Sequence, residues 1–284
     1  MTAAAIQVRE FELTDSEFLR IQRLLKERSG IDVGPAKRML VYGRLTRRLR
    51  ALRLSRFADY LPLIEDPNSE ESRNFLNSLT TNVTELFREE HHFDLLRERV
   101  VPEMQRADAK RLRIWSAGCS AGDEPYSIAL TLAALPQVQD WDVRILATDI
   151  DSDILAQARA GIYPIERISA LKPEFRSFFR RGLGKHTGLA RVSDPIKAMI
   201  TFNRLNLHEH WPMSGAFDVI FCRNVVIYFD TPTRERLVRR FASQLRPGGY
   251  LFMGHSESPS ANSTPGLKPC GRTAFVKVGA EHGE

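Results

Sequence analysis

Cysteine is scarce: three in 284 residues, Cys119, Cys222 and Cys270, too scattered and odd in number for a complete disulfide framework or a CxxC metal knuckle. A reducing cytoplasm is the home this implies. Long apolar runs are missing, so no membrane insertion is expected. The opening MTAAAIQVREFELTDSEF has no basic head followed by an apolar stretch, and no secretory signal is expected from it. Acids are absent between Pro35 and Arg56, where eight basic residues fall: Lys37, Arg38, Arg44, Arg47, Arg48, Arg50, Arg53 and Arg56. With a net charge of +6 over the whole chain, this favours an acidic partner, whether nucleic acid, a membrane face or an acidic protein.

The 43% hydrophobic content suffices for a real core, in one large domain or a small one joined to a larger one. Residues 1–80 read as short helices. Thr14 and Glu17 have capping-box spacing before Phe18, Ile21, Leu24 and Leu25, Gly30 ends that helix, and Pro35 suits the first turn of the next. Leu45, Leu49 and Leu52 keep helical spacing among the cations, so one face can pack while the other is either a solvated basic surface or a docking face.

After a connector over 81–92, within TTNVTELFREEHHF, strands alternate with helices. Strands are predicted at 112–117, 143–148, 199–205, 217–222, 250–254 and 273–278, with helices after the first, second and fourth. The pattern is α/β, a doubly wound, mostly parallel sheet. The segment between Gly161 and MITFNRL is longer than an ordinary connection, and its RRGLGKHTGLARV has glycines at turn spacing. A small antiparallel β insertion is expected at about residues 162–198.

The chemistry concentrates in three places. LRIWSAGCSAGDEPYSIALTL, 112–132, turns through Gly118 and Gly122 from a strand into a helix expected from Tyr126 to Leu135. Such junctions bind nucleotides, yet Asp123 and Glu124 would repel phosphate, which points to a cationic or phosphate-free ligand. VRILATDID ends its strand on Asp149, placed either to accept from the two hydroxyls of a ribose or to cap the next helix. FDVIFCRNVVIYFD delivers Arg223, Asn224 and Tyr228 to the same edge. Arg223 there pairs with Asp149 or Glu124, or grips a substrate carboxylate. The prolines of an amine-gripping Asn-Pro-Pro-Tyr sequence are missing, which argues against base methylation.

Taken in order, TTNVTELFRE, WSAGCSAGDEPYSIA, ATDIDSDILAQARAGIY, FCRNVVIYF and RPGGYLFMGHSES resemble the bacterial chemotaxis receptor glutamate O-methyltransferases, the CheR family, over nearly the whole chain. The resemblance implies a Rossmann-like S-adenosyl-L-methionine-dependent methyltransferase domain of the seven-stranded type, with an all-α N-terminal domain and a β-subdomain insertion. It implies a cytoplasmic protein-glutamate O-methyltransferase, expected to be a monomer without metal or nucleic acid, that esterifies chemoreceptor glutamates and releases S-adenosyl-L-homocysteine.

Carried over residue by residue, the resemblance places Asn82, Thr84 and Arg88 in the cofactor cleft. It gives Glu124 the methionyl ammonium, Asp149 the ribose, and Asn206 with Leu207 the adenine edge, with Gly118, Arg223 and Asn224 completing the surroundings. Asp123 stands where the family carries a glutamate. A cofactor with a sulfonium, an ammonium and no phosphate answers the acids beside the glycine loop, whose small residues are expected to let the backbone approach the methionyl part. The acceptor carboxylate needs no general base, so Arg88 and Tyr228 are expected to steer it. His91 and His92 read as ordinary helix residues, and Cys119 and Cys222 as packing. Arg44, Arg47, Arg48, Arg50 and Arg53 form the candidate receptor-docking face. Arg181, Gly182, Gly184 and Gly188 resemble the pattern of members that tether to a receptor C-terminal peptide. The competing classes are a nucleic-acid methyltransferase and a non-catalytic cofactor-binding module.

Overall fold

The computed structural model describes residues 10–257 and 266–279. The opening residues 1–9, and Ser258 at the end of the GHSES motif, lie outside them. Two compact units divide between Thr81 and Asn82. No helix among the described residues is long and apolar enough to cross a membrane.

The first unit is helical: α1 (Asp15–Ser29), a 3-10 turn at Pro35–Lys37 leading into α2 (Arg38–Leu52), α3 (Phe57–Glu65) and α4 (Glu70–Leu79). Both halves of the capping box form at Thr14 and Glu17, and Gly30 closes α1 in the left-handed region at φ 75°. Ile21, Leu25, Leu45, Leu49, Phe57, Ile64 and Phe75 build its core.

The expectation of an uncompensated basic face is corrected here. Arg48 makes a two-pronged pair with Glu71 at 2.9 and 2.6 Å, and Tyr60 donates to the same carboxylate at 2.9 Å. Arg50 pairs with Glu10, Arg38 with Asp15, and Arg56 with Asp59. Arg44 donates to the carbonyls of Leu79 and Thr80 at the end of α4. Except for Asp59, three residues after Arg56, the neutralising acids are remote in sequence, and none lies within α2 itself. Arg47 and Arg53 remain exposed and make no ion pair among the described residues.

The second unit begins with α5 (His91–Leu95), continuing through a π-helical turn at Leu96–Val100 into α6 (Val101–Arg106). Then come β1 (Arg111–Ala117), α7 (Asp123–Ala133), β2 (Asp142–Asp149) and α8 (Ser152–Ala160). The insertion holds β3 (Ile162–Pro164), α9 (Ile165–Ser169), α10 (Pro173–Arg176), β4 (Phe179–Arg181), β5 (Leu189–Val192) and α11 (Asp194–Ala198). The chain closes with β6 (Ile200–Arg204), β7 (Phe217–Cys222), α12 (Thr231–Gln244), β8 (Leu245–Met253), β9 (Leu267–Gly271) and β10 (Ala274–Lys277).

The main sheet has seven strands in the order β6-β2-β1-β7-β8-β10-β9. The five from β6 to β8 are parallel, and β10 is antiparallel to both β8 and β9. Covered on both faces, β7 buries all six of its residues, as a central parallel strand requires. The chain leaves β1 toward β2 and β6, then returns to β7 on the other side. The carboxyl end of β1 is therefore a switch point, where such sheets open a crevice. The insertion is a separate sheet in the order β3-β5-β4, all antiparallel, with β4 at an edge.

Several elements differ from expectation, among them β8, which begins at Leu245 rather than near residue 250. Strand β9 was not anticipated, because Pro269 and Gly271 argue against a strand; it is the outer edge strand, where proline is tolerated. Helix α7 begins at Asp123 rather than Tyr126, since Gly122 turns the chain in the left-handed region at φ 91° and lets the two acids form its first turn.

Candidate functional site

The carboxyl ends of β1, β2 and β7 deliver most of the expected residues to one edge. Ala117 is in register with Thr148, and Ser116 with Phe221. Gly118 and Cys119 both donate backbone N–H groups to the Thr148 carbonyl, at 2.8 and 2.9 Å, which lays the glycine loop across the end of β2.

The glycines of that loop also lie close against neighbouring segments of the chain. A Cβ on Gly118, whose φ is +82°, would stand 2.3 Å from a Val225 methyl, and one on Gly122 would stand 3.0 Å from Ala158 Cβ. The bare backbone there makes room for the protein's own neighbouring segments rather than for ligand alone. Gly118 lets the segment after β7 close down on the loop.

Asp149 is buried, and its two oxygens accept backbone N–H groups from Ser120 (2.8 Å) and Asp151 (3.0 Å). It does not cap the following helix; Asp151 does, accepting from Asp153 and Ile154. Each Asp149 oxygen keeps a second lone pair, so the residue shapes the loop and can still accept from a ligand. Burial pushes its carboxyl above the usual range, against the pull of those N–H donors. Asn82 reaches the same corner: its side-chain amide donates to Asp151 at 2.8 Å, and its carbonyl accepts from Ser120 Oγ at 3.1 Å. Thr84, half-buried, follows in the connector. Leu205 donates its N–H to the Asp149 carbonyl at 2.9 Å, which brings the buried Asn206 and Leu207 alongside. Asn206 accepts from the His208 N–H and donates to Glu209.

Glu124 accepts from Ser116 Oγ at 2.6 Å and faces Arg223 Nη1 at 3.3 Å. Burial pushes its carboxyl upward, with Arg223 and Ser116 opposing. The structure thus settles Arg223's partner as Glu124, not Asp149. Arg223 also lies 3.6 Å from Glu89, donates to the Arg88 carbonyl, and sits over the Phe93 ring at 5.5 Å. Arg88 itself turns its guanidinium back to the Val83 carbonyl at 3.2 Å. Asn224 is in the left-handed region at φ 60°, and Tyr228 ends a 3-10 turn at Val226–Tyr228.

Two residues here escaped the sequence reading. Glu257, fully buried, accepts the N–H groups of Asn224 (2.7 Å), Gly254 (2.7 Å) and Ile227 (3.2 Å), and so ties the segment after β7 to the end of β8. Its only sequence signal was an acid in GHSES. Glu89 was adjacent to a selected arginine, and Arg223's need for negative charge was the available clue. Glu89, His91 and His92 bring ligand-type atoms within 4.8 Å of one another, and the positive charge beside Glu89 is Arg223.

His92 is wholly buried, with Nε2 against the Arg272 carbonyl (3.2 Å) and Thr273 Oγ1 (3.0 Å), an arrangement assigned to the Nε2–H neutral tautomer. Burial lowers its pKa to about 3, so it holds the turn before β10 as a neutral ring, in line with its reading as an ordinary residue. Cys119 and Cys222 are free and buried, and burial pushes both thiols up.

Comparison with known proteins agrees with this geometry. Residues 82–274 match the family described as "CheR methyltransferase, SAM binding domain", and residues 16–80 match "CheR methyltransferase, all-alpha domain". A chemotaxis protein methyltransferase of Klebsiella aerogenes is 45% identical over 260 residues, covering 90% of this chain and 88% of that protein. Chemotaxis protein methyltransferase 2 of Pseudomonas aeruginosa is 45% identical over 251 residues, 88% of this chain and 89% of the relative. The chemotaxis protein methyltransferase of Escherichia coli K12 is 44% identical over 261 residues, 90% of each chain.

Proposed function

The chain belongs to the CheR methyltransferase family, and from that premise we propose that it esterifies glutamate side chains on the cytoplasmic helices of chemoreceptors, using S-adenosyl-L-methionine. The observation that carries this reading is a pair of carboxylates, the buried Asp149 and the largely covered Glu124, flanking a glycine loop at the switch point of the sheet, with Arg223 between Glu124 and Glu89.

The donor set fits the cofactor. Both carboxylates stand above their ordinary pKa range because they are buried. A cationic ligand relieves that cost, whereas a phosphate would add to it. Glu124 would hold the ammonium and Asp149 the ribose hydroxyls, with Asn206 and Leu207 beside the adenine. Asn82, Thr84 and Gly118 would line the cleft, while Arg223 and Asn224 orient Glu124 and the segment after β7. When bound, the cofactor supplies an activated methyl group. A receptor glutamate of ordinary pKa, about 4.3, is already ionised at neutral pH, so the protein need not remove a proton from it. What remains for the chain is orientation and exclusion of water. Arg88 and Tyr228 are assigned to steering the carboxylate, which requires the Arg88 guanidinium to leave the Val83 carbonyl when substrate arrives.

The β insertion is assigned to receptor-tail docking. Strand β4 is an edge strand able to accept an extended peptide. Beside it, Arg181 and Arg176 border a depression floored by Ile165, Ile168, Phe179 and Ala190. Gly182 is required sterically, since a Cβ there would stand 2.3 Å from the His186 carbonyl oxygen; Gly184 and Gly188 turn the hairpin. Replacing Gly188 with valine is expected to weaken binding of a receptor C-terminal peptide, measured by calorimetric titration. A tether of micromolar strength, roughly 8 kcal/mol, raises local enzyme concentration without tight binding at the active site.

Incubation with labelled cofactor and either receptor-bearing membranes or RNA tests the whole reading. Label on receptor, released as methanol in mild base, is expected. Base-stable label on RNA would favour the nucleic-acid methyltransferase, and cofactor binding with no transfer to either would favour a binding module.

A further inference from the structure

The β insertion meets the cofactor edge through an ion pair whose carboxylate is buried and whose guanidinium is partly exposed. Asp123, the first residue of α7, is wholly buried; Oδ1 accepts from Arg167 of α9, and Oδ2 has no hydrogen-bond partner among the described residues. The Arg167 guanidinium lies over the Tyr163 ring, 5.2 Å from its centroid. Tyr163 in turn meets Tyr126 of α7 edge to face at 6.2 Å. Tyr126 donates to the Ala158 carbonyl at 2.8 Å, and a Cβ on Gly122 would come within 3.2 Å of its ring. A continuous row of contacts therefore runs from the insertion to the glycine loop, and Glu124 is the residue immediately after Asp123.

The insertion also braces the connector that carries Arg88. Phe175 stacks on Phe87 at 4.5 Å, and Lys172 pairs with Glu90. The Phe87 N–H donates to Ser127 Oγ at 2.8 Å, and that hydroxyl donates to the Asp123 carbonyl at 2.7 Å. Asp123 is thus held by the insertion through its side chain and tied to the connector through its backbone.

A buried carboxylate with a single cationic partner has one well-defined setting, because leaving it unpaired is costly. The planar arginine fork, fixed over an aromatic ring, adds direction that a lysine would not supply. We propose that Asp123 and Arg167 are a positioning pair for cofactor binding: the insertion, through Arg167, sets the first turn of α7 so that Glu124 faces Arg223 and the cofactor ammonium together. This rests on the assignment of Glu124 given above. It gives the insertion a part in cofactor binding that is independent of peptide docking at β4.

The test titrates S-adenosyl-L-homocysteine into the full chain by calorimetry, alongside thermal unfolding. The variants are Arg167→Met, Arg167→Lys, Asp123→Asn and the Asp123→Asn/Arg167→Met double, with Glu124→Gln as reference. Arg167→Met is expected to weaken binding about tenfold, within the range found for residues that act through others. Arg167→Lys should lose less. The double variant should regain the thermal stability lost by Arg167→Met, because no buried charge is left unpaired, yet should not regain affinity. Turnover at saturating cofactor should stay within about twofold while KM for the cofactor rises. Arg167→Met with lowered stability and wild-type affinity, or a double variant that recovers both, would show the pair to be structural only and overturn the proposal. Should Arg167→Met fail to fold, Asp123→Asn, nearly isosteric, carries the same test, and wild-type affinity in it is equally fatal. Wild-type affinity in Glu124→Gln would overturn the assignment of Glu124 and this proposal with it. The same result in the Arg167 and Asp123 variants alone leaves that assignment standing.

Discussion

Exchanging Glu124 for glutamine removes one negative charge and changes almost nothing else in size. The amide can still accept from Ser116 Oγ, now 2.6 Å from Glu124 Oε1, and Arg223 keeps Glu89 at 3.6 Å. What is lost is a charge-assisted bond to the ammonium of the cofactor or its product, about 1.5–3 kcal/mol, or roughly 10- to 150-fold in Kd. The pH dependence sharpens the test. Burial raises the Glu124 carboxyl above its ordinary 4.5 in the ligand-free fold, and a cation selects the ionised form. Affinity should therefore climb as pH rises through the raised pKa and level off above it. Stability of the ligand-free chain runs the other way: the folded state holds this proton more tightly than the unfolded state. The Glu124 contribution is thus greatest at low pH and is lost as pH rises. Calorimetric titration with S-adenosyl-L-homocysteine from pH 5 upward should show a steeper rise for the wild type than for the glutamine variant. Equal affinities and equal slopes in the two proteins would refute the placement of the ammonium at Glu124.

Asp149→Ala should weaken the same ligand by about 1.5–3 kcal/mol, and should also lower the melting temperature, because Ser120 and Asp151 lose their acceptor; unchanged calorimetric affinity would remove Asp149 from the site. His92, held at about 3 against an ordinary 6.5, binds fewer protons folded than unfolded. Its contribution is present above pH 6.5 and lost as pH falls, amounting to about 2 kcal/mol by pH 5. Urea unfolding of His92→Gln against wild type should show that difference in slope, and parallel pH profiles would contradict it. On α2, Arg47→Glu with Arg53→Glu should raise the KM for receptor in a salt-sensitive way without altering cofactor affinity. Arg48→Glu should instead destabilise the helical unit by breaking its pair with Glu71. Receptor methylation unmoved by the Arg47 and Arg53 changes would leave them as solvated cations.

Much of this architecture is legible along the chain because its causes are local. The Thr14–Glu17 box, the left-handed Gly30 and the strand endings at Ala117, Asp149 and Cys222 depend on residues a few positions apart. Strand β9 was hidden for the opposite reason. Pro269 disfavours a strand interior in general, and only a place at the edge of the finished sheet makes it acceptable.

The sequence by itself determined the order of elements, the glycine loop, the acids beside it and the small antiparallel insertion, since periodicity, turn chemistry and residue type are properties of short segments. Tertiary structure alone decided which charges meet. Arg48 finds Glu71, Arg223 finds Glu124 and Glu89, Asp123 finds Arg167, and Glu257 gathers three backbone N–H groups. Apart from Gly254, which sits just before Glu257 along the chain, every one of these partners is remote in sequence. A buried charge is strongly driven to find a counter-charge or a set of donors, but its chemistry states only that one is needed. Which residue meets that need is set by how the sheet, its helices and the insertion close over the site.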